Sequence, residues 1–247
     1  MRVVVVLPAH NEAGNVTPLV TALLQAADAA GLDARIVVVD DGSVDDTATE
    51  LSKLRATVDR LDVVTHAVNR GFAAALKTGI AAALAGGCDA AAFMDCDLSH
   101  APGDMPRLID AIARGADVAL GSRFVPGGGM AGVPAWRVAI SRAGNLFGRI
   151  VLGVEVRDMT TGYRAISRRV LERVSLTEDG FTIQLEMVIK AAAAGFTIVE
   201  VPIILSTRRH GVSHMYYSRE LFARYYRLLM KCRQWLREGR AAQEYQA

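Results

Sequence analysis

The chain has 247 residues, of which 51% are hydrophobic, with 28 Lys and Arg against 26 Asp and Glu for a net charge of +2. That length holds one large α/β domain or two small ones, and the apolar runs are too short to cross a bilayer. Three scattered cysteines, Cys88, Cys96 and Cys232, exclude a disulfide framework or a zinc site. Met1-Arg2 runs straight into the aliphatic stretch Val3 to Leu7, too short for a signal peptide, so the expected location is cytoplasmic.

Val3 to Leu7 predicts a strand buried on both faces, closed by Pro8 and followed by the loop Ala9-His10-Asn11-Glu12. Val16 to Ala29 has helical spacing. A second strand, Ala34 to Val39, ends in Asp40-Asp41-Gly42-Ser43, and Asp45-Asp46-Thr47 caps a helix carrying Leu51 and Leu54. Leu61 to Thr65 is a third strand, leading through Asn69-Arg70-Gly71 into an Ala-rich helix, Phe72 to Leu84. Strands alternating with helices imply right-handed crossovers and a parallel, doubly wound sheet. The fourth strand, Ala90 to Met94, stops at Asp95-Cys96-Asp97.

After Pro102 come a helix (Met105 to Ala113) and a short strand (Val118 to Leu120) that delivers Gly121-Ser122-Arg123. Pro126 to Met130 reads as a mobile loop without regular structure, the place for a lid. Trp136 to Leu152 is a helix bearing Arg137, Ser141 and Arg142, and Asp158 to Arg164 is a polar turn before a strand-like piece. Gly180 to Glu186 begins a helix to Ala194, Thr197 to Leu205 is the last strand, and Arg208 to His214 is a basic, glycine-hinged segment. From Met215 a basic amphipathic helix alternates Leu221, Phe222, Tyr225, Leu228 and Trp235 with arginines. Such a helix lies in a membrane interface, or packs on its own domain or a second subunit.

The chain lacks a Walker-type phosphate loop, a GxGxxG after the first strand, a GxSxG elbow and a metal-binding histidine pair, which removes kinases, nicotinamide dehydrogenases and α/β-hydrolases from the leading candidates. What remains is a set of acids at strand ends with arginines downstream. Asp95 and Asp97, two apart on an extended chain, point the same way and reach a hard cation such as Mg²⁺ or Mn²⁺, or else form an acidic turn or helix cap. With a cation they would clamp a diphosphate, and an arginine such as Arg208 would stabilise its departure.

Pro8-Ala9-His10-Asn11-Glu12, Asp40-Asp41-Gly42-Ser43, Asp95 to His100, Gly121-Ser122-Arg123, Asp158 to Arg164 and Arg208-x-x-Gly211-x-Ser213 resemble, in order, the motifs of family 2 inverting glycosyltransferases of the GT-A fold. Within these the chain is most similar to dolichyl-phosphate (polyprenyl-phosphate) mannosyltransferases. The resemblance implies a single nucleotide-binding α/β domain, residues 1–214, with a mostly parallel sheet flanked by helices, followed by the amphipathic helix and tail, 215–247. It implies that Pro8, His10, Glu12 and Asp41 hold the nucleoside. Asp95 and Asp97 hold Mg²⁺ or Mn²⁺ and the donor diphosphate, Arg208 reaches the donor phosphates, and Arg123, Arg137 and Ser141 grip the acceptor phosphate. Asp95, Asp97 and Arg123 are thus the catalytic set, and Gln184 and Glu186 match positions that read the sugar or support the site.

The pattern is broken at Ser99, where relatives often place a metal-binding Gln, at His214, where they place Lys, and at Thr182, where some carry a basic residue. The expected reaction is inverting transfer of mannose from GDP-mannose to a polyprenyl phosphate. Its acceptor is already largely dianionic near neutrality, with a second pKa of about 6, so no catalytic base is needed. The alternatives are a relative using UDP-glucose or another sugar nucleotide, a catalytically silent scaffold, and a nucleotidyltransferase, which would show a Gly- and Lys-rich loop after its first strand. The expected partners are the nucleotide sugar, the polyprenyl phosphate and, through residues 215–240, the cytoplasmic face of a membrane. A second copy or a membrane protein stays open as a partner, and no nucleic acid is expected.

Overall fold

A computed structural model of the chain describes the backbone of residues 1–208 and 219–244 and the side chains of residues 1–208 and 219–238. In chain order the elements are β1 (Arg2–Ala9), α1 (Val16–Ala29), β2 (Asp33–Asp40), α2 (Thr47–Arg55), β3 (Leu61–Thr65), α3 (Phe72–Ala85), β4 (Ala90–Phe93), α4 (Met105–Ala113) and β5 (Val118–Ser122). They continue with β6 (Gly129–Met130), α5 (Ala135–Leu152), β7 (Arg164–Ser167), α6 (Arg168–Arg173), α7 (Ile183–Ala193), β8 (Ile198–Pro202), β9 (Ile204–Leu205) and α8 (Arg219–Glu244).

Successive strand residues face opposite sides of the sheet, so each strand feeds two cores. Val4, Val6, Val37, Val39, Ala91 and Phe93 meet α3, α7 and α8 on one side. Val3, Val5, Leu7, Ile36, Val38 and Ala92 meet α1, α2 and α4 on the other. This burial on both faces is why the strands are continuous aliphatic runs with no polar alternation. The seven-stranded sheet runs β3-β2-β1-β4-β7-β5-β8. Its neighbours are parallel except at β7, which pairs antiparallel with both β4 and β5. The expected mostly parallel sheet is therefore present.

Two local expectations are corrected. Pro126 to Met130 is not wholly irregular, because Gly129 and Met130 form β6, paired in parallel with Ile204 and Leu205 of β9. The glycines there serve close approach: a Cβ on Gly128 would collide with the Ser122 carbonyl. The last strand is also two strands. Pro202, which has no N–H for a ladder, ends β8, and after Ile203 the chain joins the small second sheet as β9.

Helix α8 packs on α7 and α5 and sends Leu228, Leu229, Cys232 and Leu236 into the core. The segment after Arg208, the start of the amphipathic helix at Met215 and the boundary at 214/215 lie outside the described residues. Among the described residues, no helix is long and apolar enough to cross a membrane.

Helix α5 is inverted. Its buried residues are Asn145, Gly148 and Leu152, while Trp136, Leu146, Phe147 and Ile150 are 50–72% exposed. Positions 136, 139, 143, 147 and 150 form one outward helical stripe, all apolar in this chain. On α8, which packs against it, Phe222, Tyr226 and Met230 form an exposed stripe that continues into Arg233 and Arg237.

Candidate active site

The carboxyl ends of β1, β2 and β4 lie side by side, with Ala9 opposite Asp40 and Val6 opposite Phe93. That edge of a doubly wound sheet is where ligands bind. Among the described residues, the non-glycine positions with left-handed backbone are Asn11 (φ 55°) and Leu98 (φ 59°), one just beyond β1 and one just beyond β4. Such backbone is held only where the surroundings over-determine it. At Asn11 they do: its N–H donates to Ser43 Oγ (3.0 Å), and its Oδ1 accepts from the Val44 N–H (2.9 Å). His10 Nδ1 lies 3.0 Å from the Asp41 carbonyl, which can only accept, so Nδ1 carries the proton and Nε2 faces Asn11 Nδ2 at 3.3 Å. The first and second loops are thereby locked together.

The Asp41 carboxylate is committed within the protein. It accepts from the Arg70 N–H (2.9 Å) and the Gly71 N–H (2.7 Å) and pairs with His66 Nδ1 at 2.6 Å. It shapes the loop that opens α3. Gly42, beneath it, has φ +65° and approaches the Val68–Asn69 backbone too closely for a side chain.

Asp95, Asp97 and Glu12 gather around one arginine. Asp97 Oδ1 accepts from the Ser99 N–H (2.9 Å), a turn across Leu98, and its Oδ2 pairs with Arg208 Nη2 at 3.0 Å. The Ser99 carbonyl accepts from the Ser206 N–H (2.8 Å), tying this turn to the segment that carries Arg208. Burial first, then the charge of Asp97, pushes the Asp95 carboxyl up to about 7, with Arg208 opposing. Burial also raises Glu12, against its hydrogen bond from Asn15. Gly162 abuts Asp95, since a Cβ there would lie 3.0 Å from Oδ2. Below, a small recess is lined by Pro8, Phe72, Asp95, Gly162, Arg164 and Gln184. Arg164 is 2% exposed and donates to the Gln184 carbonyl at 2.8 Å.

These oxygens fit a hard divalent ion: two crowded carboxylates, one of them raised chiefly by burial and further by the charge of the other. Among the described residues no group of three or more His, Cys, Asp and Glu side chains could hold a metal by itself. Mg²⁺ and Mn²⁺ characteristically complete their shells with substrate phosphates and water, so Asp95 and Asp97 suffice as protein ligands. The folded carboxyl of Asp95 titrates above its ordinary value of about 4, so the native state holds a proton the unfolded chain has lost. Its contribution to stability therefore falls as pH rises from about 4 through 7. A cation bound at Asp95 would have to displace that proton, so if this is a metal site, Mn²⁺ affinity, followed by calorimetry, should tighten between about pH 6 and pH 8 and then level off.

On the other flank Arg123 forms a fork on Asp158, with Nε to Oδ2 at 2.7 Å and Nη2 to Oδ1 at 2.6 Å. The Arg123 N–H adds a third bond to Asp158 (3.0 Å), and Nη2 also reaches Thr160 Oγ1 (3.1 Å). Asp158 is fully buried, and its turn is held by Glu200 of β8, which accepts from the Arg157 and Asp158 N–H groups (both 2.9 Å). Arg123 thus reaches the site with much of its hydrogen-bonding capacity spent. Its guanidinium and that of Arg142 lie over the Phe124 ring, at 5.2 and 5.7 Å. Arg137 and Ser141 are partly exposed on α5.

His100 is where the two flanks adjoin. It is 4% exposed, its Nδ1 has no hydrogen-bond partner among the described residues, and its ring tilts over Tyr163 at 5.1 Å. Burial lowers it to about 4, with Asp97 opposing and Arg123 reinforcing the shift.

The sequence motifs did not assign Asp158, Thr160, Asn145, Glu200 or Arg164. Only Asp158 to Arg164 carried a local sign, as a polar turn and one of the motifs of the resemblance, without a role for any of its residues. Glu186 is fully buried and accepts from the Thr177 N–H (2.9 Å) and the Glu178 N–H (2.8 Å), with Lys190 at 2.8 Å. It braces the segment before α7.

The mostly parallel sheet flanked by helices, with carboxylates at its carboxyl edge, is a GT-A-like α/β fold. Residues 4–175 match the family described as glycosyl transferase family 2, and the chain belongs to that family. It is 37% identical over 218 residues to the polyprenol monophosphomannose synthase of Mycolicibacterium smegmatis, covering 87% of this chain and 81% of that one. It is 38% identical to the undecaprenyl-phosphate mannosyltransferase of Micrococcus luteus, covering 87% and 88%. Against the dolichol-phosphate mannosyltransferase of Pyrococcus furiosus it is 34% identical and spans 59% of that protein. Among solved structures, the glucosyl-3-phosphoglycerate synthase of Mycobacterium tuberculosis in complex with Mn²⁺, UDP and glucosyl-3-phosphoglycerate superposes with a TM-score of 0.64. At 22% identity, over 94% of this chain and 78% of that one, this likeness shows the fold.

Proposed function

We propose that this family 2 enzyme transfers mannose from GDP-mannose to a polyprenyl phosphate with inversion at the sugar. The relatives support the mannosyl and polyprenyl halves of this reading. The observation that carries it is the inverted helix α5, which bears Arg137 and Ser141 and presents Trp136, Leu146, Phe147 and Ile150 outward. A helix that offers a phosphate-binding arginine and an apolar outer stripe suits an acceptor whose phosphate is polar and whose tail is hydrocarbon. The exposed stripe of α8, with its arginines, extends that face and supports a peripheral position against anionic lipid on the cytoplasmic side of a membrane.

In this reading Pro8, His10, Glu12 and the loop shaped by Asp41 seat the nucleoside. Asp95 and Asp97 would hold Mg²⁺ or Mn²⁺, which when bound neutralises charge on the departing diphosphate. Arg208, beside Asp97, offers its fork to the donor phosphates. Arg123, Arg137 and Ser141 orient the acceptor phosphate, which needs alignment and charge shielding and no base. Asp158 holds the Arg123 fork in plane, so little ordering remains when a phosphate arrives.

GDP release by the purified protein with Mn²⁺ is expected to rise at least about tenfold when a polyprenyl phosphate is added. Equal release with and without the lipid overturns the acceptor half. A preference for UDP-glucose in the same assay overturns the donor half.

A further inference from the structure

The buried residues of helix α5 are Asn145, Gly148 and Leu152. Asn145 is 4% exposed, and both ends of its side-chain amide are hydrogen bonded. Oδ1 accepts from the Met159 N–H (2.9 Å), while Nδ2 donates to Thr160 Oγ1 (3.0 Å) and to the Ser141 carbonyl (3.0 Å). The amide orientation is fixed, because a backbone N–H can only donate and Oδ1 must face it. Thr160 Oγ1 also accepts from Arg123 Nη2 (3.1 Å). One hydroxyl therefore joins the helix that bears Arg137 and Ser141 to the arginine that arrives from β5. Gly148 permits this approach: a Cβ there would lie 2.9 Å from the Met159 terminal methyl.

We propose that Asn145 is a positioning residue which, through Thr160, sets the distance and angle between Arg123 and the Arg137/Ser141 face of α5. It touches no substrate; it fixes the register of the two arms of the acceptor clamp. This rests on the reading of Arg123, Arg137 and Ser141 as the acceptor side.

The test compares Asn145→Ala, Thr160→Val and Thr160→Ser for KM toward polyprenyl phosphate, kcat, GDP affinity, and hydrogen exchange across residues 135–152. Removing a partner from a buried polar pair should raise the acceptor KM about tenfold in the first two variants and speed exchange in α5, with GDP affinity within about twofold of wild type. Thr160→Ser keeps the hydroxyl and should keep the wild-type KM and exchange. The proposal falls if the acceptor KM and the exchange of α5 are unchanged, if GDP affinity falls in parallel, or if Thr160→Ser behaves like Thr160→Val. Should Asn145→Ala fail to fold, the two Thr160 variants decide. Should the wild type transfer nothing to polyprenyl phosphate, the functional reading fails separately, and exchange in α5 still decides the positioning role.

Discussion

Asp97→Ala is expected to lower mannosyl transfer by about a thousandfold or more while leaving the folded protein close to wild-type stability. Among the described residues the carboxylate has two partners, the Ser99 N–H at 2.9 Å and Arg208 at 3.0 Å, and both lie at the site, away from the core. Its removal also relieves Asp95 of the neighbouring charge that helps hold it protonated, so the folded state loses a repulsion along with an ion pair. These effects oppose each other, and the melting temperature should move by no more than a few degrees. Transfer would have no such compensation on the proposed reading, because Asp95 alone would be left to hold the ion that neutralises the departing diphosphate. The assay is product formation from GDP-mannose with saturating Mn²⁺, beside a melting curve. Activity within tenfold of wild type would remove Asp97 from the metal site. A silent scaffold, by contrast, would keep its cellular function in this variant.

Asp158→Ala should give the largest loss of stability. It strips three bonds from Arg123 at once and leaves a guanidinium that is 12% exposed beside a vacated, fully buried carboxylate position. Breaking a buried pair from one side costs about 3–5 kcal/mol, most of it the stranded charge. For a chain of this size that corresponds to a fall in melting temperature of about 10 °C. The double variant Arg123→Leu/Asp158→Leu separates structure from chemistry. With both charges gone, stability should return to within about 1 kcal/mol of wild type, yet transfer should stay lost because the acceptor arm is missing. A stable double variant that still transfers mannose would show that Arg123 does not hold the acceptor.

The sequence made the strands at the donor edge legible because burial on both faces leaves an unbroken aliphatic signature, as in Val3 to Leu7. The acids beyond them gained meaning only together with the ordered motifs around them, since Asp95 and Asp97 alone read equally as an acidic turn or helix cap. The antiparallel β7 was not legible, since Arg164 to Ser167 carries the same apolar pattern in either direction. The pairing of Gly129 with Ile204 was hidden for another reason: a two-residue ladder between distant segments leaves no periodicity. Least legible were the residues that place Arg123 and α5. Asn145 and Glu200 look like ordinary surface polar residues, and their roles arise only when β8, α5 and the 158–160 turn are brought together.

Leu98 carries a further consequence. A leucine in left-handed backbone costs about 1–2 kcal/mol, which a glycine would avoid, yet the turn it makes aims Asp97 back at the sheet edge. The chain therefore keeps a local loss of stability at the point where geometry matters most, and the two aliphatic cores absorb it. The natural sequence is not the most stable one this fold allows. A stabilising change at Leu98 would loosen the turn it relaxed, so gains in heat resistance are better sought away from the donor edge.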